Sequence, residues 1–374
     1  MGRTLAAATL AGAVIAAGAC DGGASSKAAA PPIPAAKLNC NAISAGTLRQ
    51  VLVNNSPQGR VGDLSKSPNE CLWEGVRDGK TESPSYLDLS FKAYADHGEA
   101  RAAYTSGALQ GGSLGAKGKF TPVRGFGDDA GILRIQKNAK EIVATETTAI
   151  GLRFRSRNVI GSLWLTSRRR GIDPGFTGPL DSVSNRETAA VTAAREVLAR
   201  LGTPASTSPR KTPPAQPGEA RVPQSVCGAS KTAGRVFGKG RDVSARGDEA
   251  RRTCEWSSNG EERGLLLDAE AIAPSPLTGE GGIAIAGSVY PDWAYVPENA
   301  GAPGLAKAQK EAAGLGDSAR MWTEWDPGRP SSTVRLRVRR GNLLVSVSLE
   351  EARSFKAVEE RARRIATEVL ESNL

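Results

Sequence analysis

The sequence predicts an α+β protein made of one two-layer module used twice, each copy an antiparallel sheet covered by helices on one face. Three observations predict it. A set of short motifs recurs in the same order in both halves. Four cysteines fall into two equivalent pairs. Each half alternates with strand periodicity and then closes in an amphipathic helix. A chain of 374 residues has room for two cores, and 39% hydrophobic residues with 43 Gly and 22 Pro suits folded modules joined by turn-rich segments.

The N-terminal residues precede any fold. Met1-Gly-Arg3 is a short basic start, and the apolar run from Leu5 to Ala17 is short for a bilayer span. Ala17-Gly-Ala19-Cys20 follows, so residues 1–19 have the layout of a bacterial export signal. A Cys directly after small residues resembles the lipobox of bacterial lipoproteins, whose thiol is diacylated (with palmitate, for instance). Ala17 stands where that motif usually carries Leu, and Ala17-x-Ala19 also suits ordinary secretory cleavage. The expected location is therefore the outer face of the bacterial cytoplasmic membrane, with a secreted form as the alternative. Residues 20–38 read as a tether, since Gly, Ser, Ala and Pro dominate from Asp21 to Ala36.

Five cysteines leave an odd thiol, which acylation of Cys20 resolves. The remaining Cys40, Cys71, Cys227 and Cys254 should pair outside the reducing cytoplasm, and the repeat selects Cys40–Cys71 and Cys227–Cys254 among the three possible connectivities. A zinc site is disfavoured because no CxxC spacing occurs and His97 is the single histidine.

The repeat itself begins at Cys71-Leu-Trp73 and Cys254-Glu-Trp256. It continues through Gly125-Phe-Gly-Asp-Asp-Ala130 and Gly314-Leu-Gly-Asp-Ser-Ala319, then through Arg-rich strands containing Arg153, Arg155 and Arg157 or Arg335, Arg337 and Arg339. It closes with helices over Arg186–Leu201 and Ser354–Leu370. Early helices are expected over Ala42–Val53 and Ala229–Phe237, strands over Tyr86–Tyr94 and Gly264–Ile272, and middle helices over Glu99–Leu109 and Gly304–Ala313. The first module is assigned to 39–202 and the second to 222–374. Between them, 203–221 is a Pro- and Ser-rich linker that cannot build a core.

These motifs resemble the domain of a large family of actinobacterial lipoproteins of unknown function, across both halves of the chain. The resemblance implies a fold loosely similar to the PsbP-like α/β sandwich and supports both the envelope location and the bridge assignment. It implies no catalytic residue and no cofactor, and this chain departs from a single-module member by carrying two copies.

The inventory of reactive groups speaks against an enzyme. A Ser-His-Asp or Cys-His arrangement would rest on His97 alone. Asp128, Asp129 and Asp317 sit in the Gly-x-Gly-Asp turns, where the glycines (Gly125, Gly127, Gly314, Gly316) permit positive φ and an Asp caps backbone N–H groups. Trp73 and Trp256 lie two residues past a cysteine, so each ring should share the core face with its own bridge.

Charge gives the sharpest functional lead. The formal net charge is +10, and 40–202 holds 22 Lys and Arg against 16 Asp and Glu. Arg153, Arg155 and Arg157 alternate along one strand, and Arg168, Arg169 and Arg170 follow the next. Such a row suits an anionic lipid, a wall polymer or an acidic protein. The competing reading is a solvated outer face whose field is cancelled by acidic neighbours. Nucleic acid belongs to the wrong compartment. The expected function is non-catalytic binding or sensing at the membrane. An envelope hydrolase using carboxylates and a structural spacer for envelope complexes are the alternatives.

Overall fold

The computed structural model describes residues 30–54, 56, 58–76, 84–106, 120–138, 145–170, 181–203, 214, 217, 219–221, 226–243, 248–257, 264–294, 306–325 and 331–372. Cys20 lies outside them, as do the side chains of Arg169 and Arg170. Among the described residues no helix is long and apolar enough to cross a membrane.

The first module runs α1 (Ala45–Val53), β1 (Arg60–Asp63), β2 (Glu70–Val76), β3 (Ser85–Ala93), α2 (His97–Thr105), β4 (Thr121–Val123), β5 (Asp129–Asn138), β6 (Thr145–Ser156), β7 (Val159–Arg170) and α3 (Val183–Arg200). The second runs α4 (Lys231–Phe237), β8 (Arg241–Asp242), β9 (Arg251–Ser257), β10 (Gly264–Ala271), α5 (Gly282–Ala294), β11 (Ala306–Glu311), β12 (Ser318–Trp325), β13 (Ser332–Arg340), β14 (Leu343–Glu351) and α6 (Phe355–Glu371). The sheet orders are β1-β2-β3-β7-β6-β5-β4 and β8-β9-β10-β14-β13-β12-β11. They correspond strand for strand, all neighbours are antiparallel, and neither sheet is closed.

The local chemistry of the two copies also matches. Ser44 caps α1 by accepting from the Thr47 N–H at 3.2 Å, and Ser230 caps α4 by accepting from Ala233 at 3.1 Å. A glutamate on each final helix holds that cap. Glu196 accepts from the Ser44 N–H, while Glu368 accepts from the Ser230 hydroxyl and the Thr232 N–H. Burial alternates along β2 and β3, so Cys71, Trp73, Leu87 and Leu89 face α1 and α3. In the second module Cys254, Trp256, Leu265, Leu267, Leu336 and Val347 face α6. Both expected disulfides form, with Cα separations of 5.4 Å for Cys40–Cys71 and 5.3 Å for Cys227–Cys254.

One expected element is wrong. The helix expected over Gly304–Ala313 is absent from its described residues: Ala306–Glu311 forms the edge strand β11, pairing with β12 from Ala306↔Trp325 to Glu311↔Arg320. Ala, Lys and Glu favour a helix there, but the sheet offers a ladder of hydrogen bonds that local propensity cannot match. The second middle helix is α5, twenty residues earlier, over a Gly- and Ile-containing stretch with Pro291 inside it.

The two modules share a core. Ile272, Leu277, Ile285, Ala286 and Val289 cluster with the first module's Ile132, Leu152 and Ala190, and Leu344 joins them from the back of the second sheet. Helix α5 lies between the helix-covered face of the first sheet and the back of the second, against β5 on one side and β13 and β14 on the other. Polar contacts fix the seam. The N-terminus of α3 presents Ser182 N–H to Asp248 at 2.6 Å and Val183 N–H to Glu270 at 2.7 Å, placing two second-module carboxylates at its positive end. Arg134 of β5 pairs with Glu187 of α3 at 2.7 Å and with Glu280 of the second module at 2.9 Å. Pro32–Leu374 thus folds as one compact unit.

Candidate functional site

The Gly-x-Gly-Asp turns organise the same constellation in both modules. Gly127 has φ +66°, and a Cβ there would lie 2.2 Å from the Arg155 carbonyl oxygen; Gly316 has φ +57°, with 2.4 Å to the Arg339 carbonyl oxygen. Only glycine permits both the conformation and the approach. The approach lets Asp128 N–H donate to the Arg155 carbonyl and Asp317 N–H to the Arg339 carbonyl, each at 2.8 Å. Each aspartate then reaches back to the β-hairpin loop. Asp128 accepts from Arg157 N–H and Asp317 from Gly341 N–H, both at 2.7 Å. Arg157 and Gly341 hold matching φ values of 55° and 58°. Arg155 Nη1 meets Asp128 at 3.0 Å, and Arg339 Nη1 meets Asp317 at 3.1 Å.

The residue after each loop turn completes the frame. Asn158 accepts from Ile33 N–H at 2.7 Å and donates to the Tyr94 carbonyl at 3.0 Å. Asn342 accepts from Ala220 N–H at 2.8 Å and donates to the Ile272 carbonyl at 3.0 Å. Neither Asn stands out by composition, although each sits at the same offset from an arginine strand, in a two-residue hairpin loop that favours Asn. Tyr104 at the end of α2 and Tyr290 on α5 are likewise equivalent, donating to the Arg153 carbonyl at 3.5 Å and the Arg337 carbonyl at 3.4 Å. Burial pushes both phenols up to about 12.

Among the described side chains the arginine row does not form an open cationic face. Arg153 and Arg155 are 5% and 8% exposed. Arg155 Nε binds Asp129 at 2.7 Å while Nη1 serves Asp128, so one guanidinium holds both acids of the turn. Arg157 lies in the hairpin loop and donates to the Gly202 carbonyl at 3.3 Å. Arg168 stacks over Tyr86 at 5.3 Å. In the second module Arg335 and Arg337 are 2% and 1% exposed, and register places Arg337, Ser346 and Asp268 in one row on the back face that packs toward the first module. Alternation put Arg153 and Arg155 on one strand face, but Arg157, expected there with them, falls in the hairpin loop beyond the end of β6. Nothing in that pattern reveals that a second layer covers the face.

Trp73 and Trp256 are buried in the two cores with Cys71 and Cys254 and offer no stacking platform. His97 opens α2 beside the Asp96 cap, whose carboxylate accepts from Glu99 N–H at 2.8 Å. Among the described residues no group of His, Cys, Asp and Glu could hold a metal ion.

A cleft opens at the turn in each module. The first measures about 590 Å³ and is lined by Tyr104, Phe120, Arg124, the turn from Gly125, Gly131 and Arg153. Its counterpart measures about 260 Å³, with Tyr290, the turn from Gly314 and Arg320 around it. Register marks one difference between the two linings. Gly131 lies opposite Arg153 on the adjacent strand, whereas Arg320 lies opposite Arg337. The first module has a glycine where the second has an arginine side chain. Arg153 keeps its guanidinium 4.6 Å from the Tyr104 ring centre and donates through Nη2 to the Ala103 carbonyl at 3.1 Å. No carboxylate among the described residues pairs with it.

No family model and no curated protein matches this chain. Among solved structures, the chain aligns with the apo immunity protein TplEi of the T6SS from Pseudomonas aeruginosa at 11% identity and a TM-score of 0.15, over 83% of this chain and 95% of that one. It also aligns with StfQ, a di-domain ARO/CYC from the steffimycin biosynthetic pathway, at 6% identity and a TM-score of 0.12, over 88% of both chains. At these scores neither neighbour carries an argument.

Proposed function

We propose that this chain is an exported protein, held by an acylated Cys20 at the outer face of the bacterial membrane, whose two modules act as one non-catalytic binding body with its ligand cleft in the first module. The observation that carries the binding reading is the commitment of the turn carboxylates. Asp128 accepts from a backbone N–H and from Arg155, which also holds Asp129, and the second module reproduces the Asp128 part of this arrangement at Asp317. A hydrolase needs an acid free to trade a proton with substrate, and a duplicated frame of backbone capping offers none. The cleft beside that frame is of ordinary ligand size.

The exported reading is supported by the two disulfides and by the small-residue run that ends at Cys20. The resemblance to actinobacterial lipoproteins points the same way. Changing Cys20→Ala should move the protein from the membrane fraction to the soluble fraction of cells. Retention of the variant in the membrane would contradict the anchor.

A further inference from the structure

We propose that the first module's cleft binds a small planar carboxylate, with Arg153 receiving the anion and the Tyr104 and Phe120 rings flanking its apolar body. The proposal rests on the binding reading above and names the ligand class for that cleft. Arg153 is the element that demands explanation. A guanidinium buried to 95% is costly unless paired, and several of the chain's other buried arginines meet carboxylates: Arg134 with Glu187, Arg186 with Asp181, and Arg251 with Asp268 and Glu270. Arg153 meets a ring face and one backbone carbonyl. Its Nε is buried without a hydrogen-bond partner among the described residues, and the side chain lines the cleft. Burial is also what pulls its pKa below the ordinary arginine value, opposed by Tyr104.

Charge and shape select the ligand. Arg124 and Arg153 line the cleft with Asp128 and Asp129, and Arg155, outside the lining, engages both carboxylates, which leaves Arg153 as the buried cation without a carboxylate partner among the described residues. One available guanidinium beside two carboxylates suits a monoanion better than a phosphate dianion. The planar guanidinium fork favours a carboxylate, and the remaining wall is apolar, formed by Phe120, Pro122, Val123 and Phe126. A Cβ at Gly131 would lie 2.9 Å from the Phe120 Cβ, so the glycine lets Phe120 pack over the strand next to Arg153.

The probe is benzoate, titrated into the purified full chain and followed by calorimetry and by backbone NMR shifts. Benzamide serves as the neutral isostere, and inorganic phosphate and phenyl phosphate as the competing anion. The expected result is benzoate binding with shifts centred on Tyr104, Phe120 and Gly131. Benzamide should bind about tenfold or more weakly, and Arg153→Gln should lose a similar factor. Equal binding of benzoate and benzamide, shifts centred elsewhere, or tighter binding of either phosphate at the same residues would overturn the proposal. Should Arg153→Gln fail to fold, the benzoate–benzamide comparison and the shift map on the unaltered chain decide the matter. Fractionation of Cys20→Ala involves no ligand, so a failed titration removes the ligand class and leaves the anchor reading to its own test.

Discussion

The two modules share a hydrogen-bond plan and differ in what surrounds it. In both, a glycine at positive φ brings the turn onto a strand carbonyl, an aspartate ties that turn to a hairpin loop, and a tyrosine covers the strand. In the first module the position facing the buried arginine is Gly131, and a cleft of about 590 Å³ remains. In the second that position is Arg320, and the sheet's back face packs on the first module through α5, Leu344 and Glu270. Duplication has left one copy with an accessible site and made the other part of a scaffold. The shared frame shows what the fold needs, and the differences show what it can spare.

The largest expected effect breaks the scaffold role. Glu270 is 2% exposed, accepts from Val183 N–H at the start of α3 and pairs with Arg251. Replacing Glu270→Ala should destabilise the whole chain by about 3–5 kcal/mol, because it leaves a buried guanidinium and a helix end with fewer partners. Denaturant unfolding should show the loss in probes from both modules. A loss confined to the second module would mean that the seam carries little.

A smaller effect sharpens the equivalence of the two frames. Gly127→Ala and Gly316→Ala each impose a left-handed Ala against a carbonyl oxygen. Each should cost about 1–3 kcal/mol, the two values agreeing closely in thermal unfolding. A tolerated substitution in one module would end the claim that the turns do the same job.

The smallest effects come from titration. Burial holds the phenols of Tyr104 and Tyr290 up to about 12, above their unfolded value, so their contribution to stability is complete below pH 10 and lost as pH rises from 10 toward 12. Phenolate absorbance during alkaline titration should show three late-titrating tyrosines, Tyr86 joining Tyr104 and Tyr290. Glu368 runs the other way. Its burial alone would raise its pKa, but hydrogen bonds from Ser230 and Thr232 outweigh that and hold it below the ordinary glutamate value. Its contribution is present above the usual glutamate range and lost on acidification through the folded value, which pH-dependent melting of the Glu368→Gln variant should register as a flattened acid limb.

Much of this architecture is legible in the residues. Cys-x-Trp, Gly-x-Gly-Asp and the arginine strands recur at fixed order, and recurrence fixes both the number of modules and the pairing of four sulfurs. Period-2 alternation places Arg153 and Arg155 on the face opposite Leu152 and Phe154. What alternation cannot carry is the identity of the covering layer, since polar residues facing solvent and polar residues facing a polar partner follow the same period. That is why the arginine row reads as an outer surface while Arg335 and Arg337 lie buried. Helix α5 escapes notice because Gly, β-branched residues and Pro291 mask its periodicity, and its role is set by packing against two sheets at once. The cleft's lining brings Gly131 opposite Arg153 across a strand pair, a relation of register rather than of neighbours in sequence.

The central claim is that the two modules form one body through the seam around α5 and the start of α3. A protease site introduced within 204–213, followed by cleavage and gel filtration without denaturant, tests it most directly. The account predicts that the two fragments co-elute at the size of the intact chain and separate only on unfolding. Independent elution of two folded halves would contradict it.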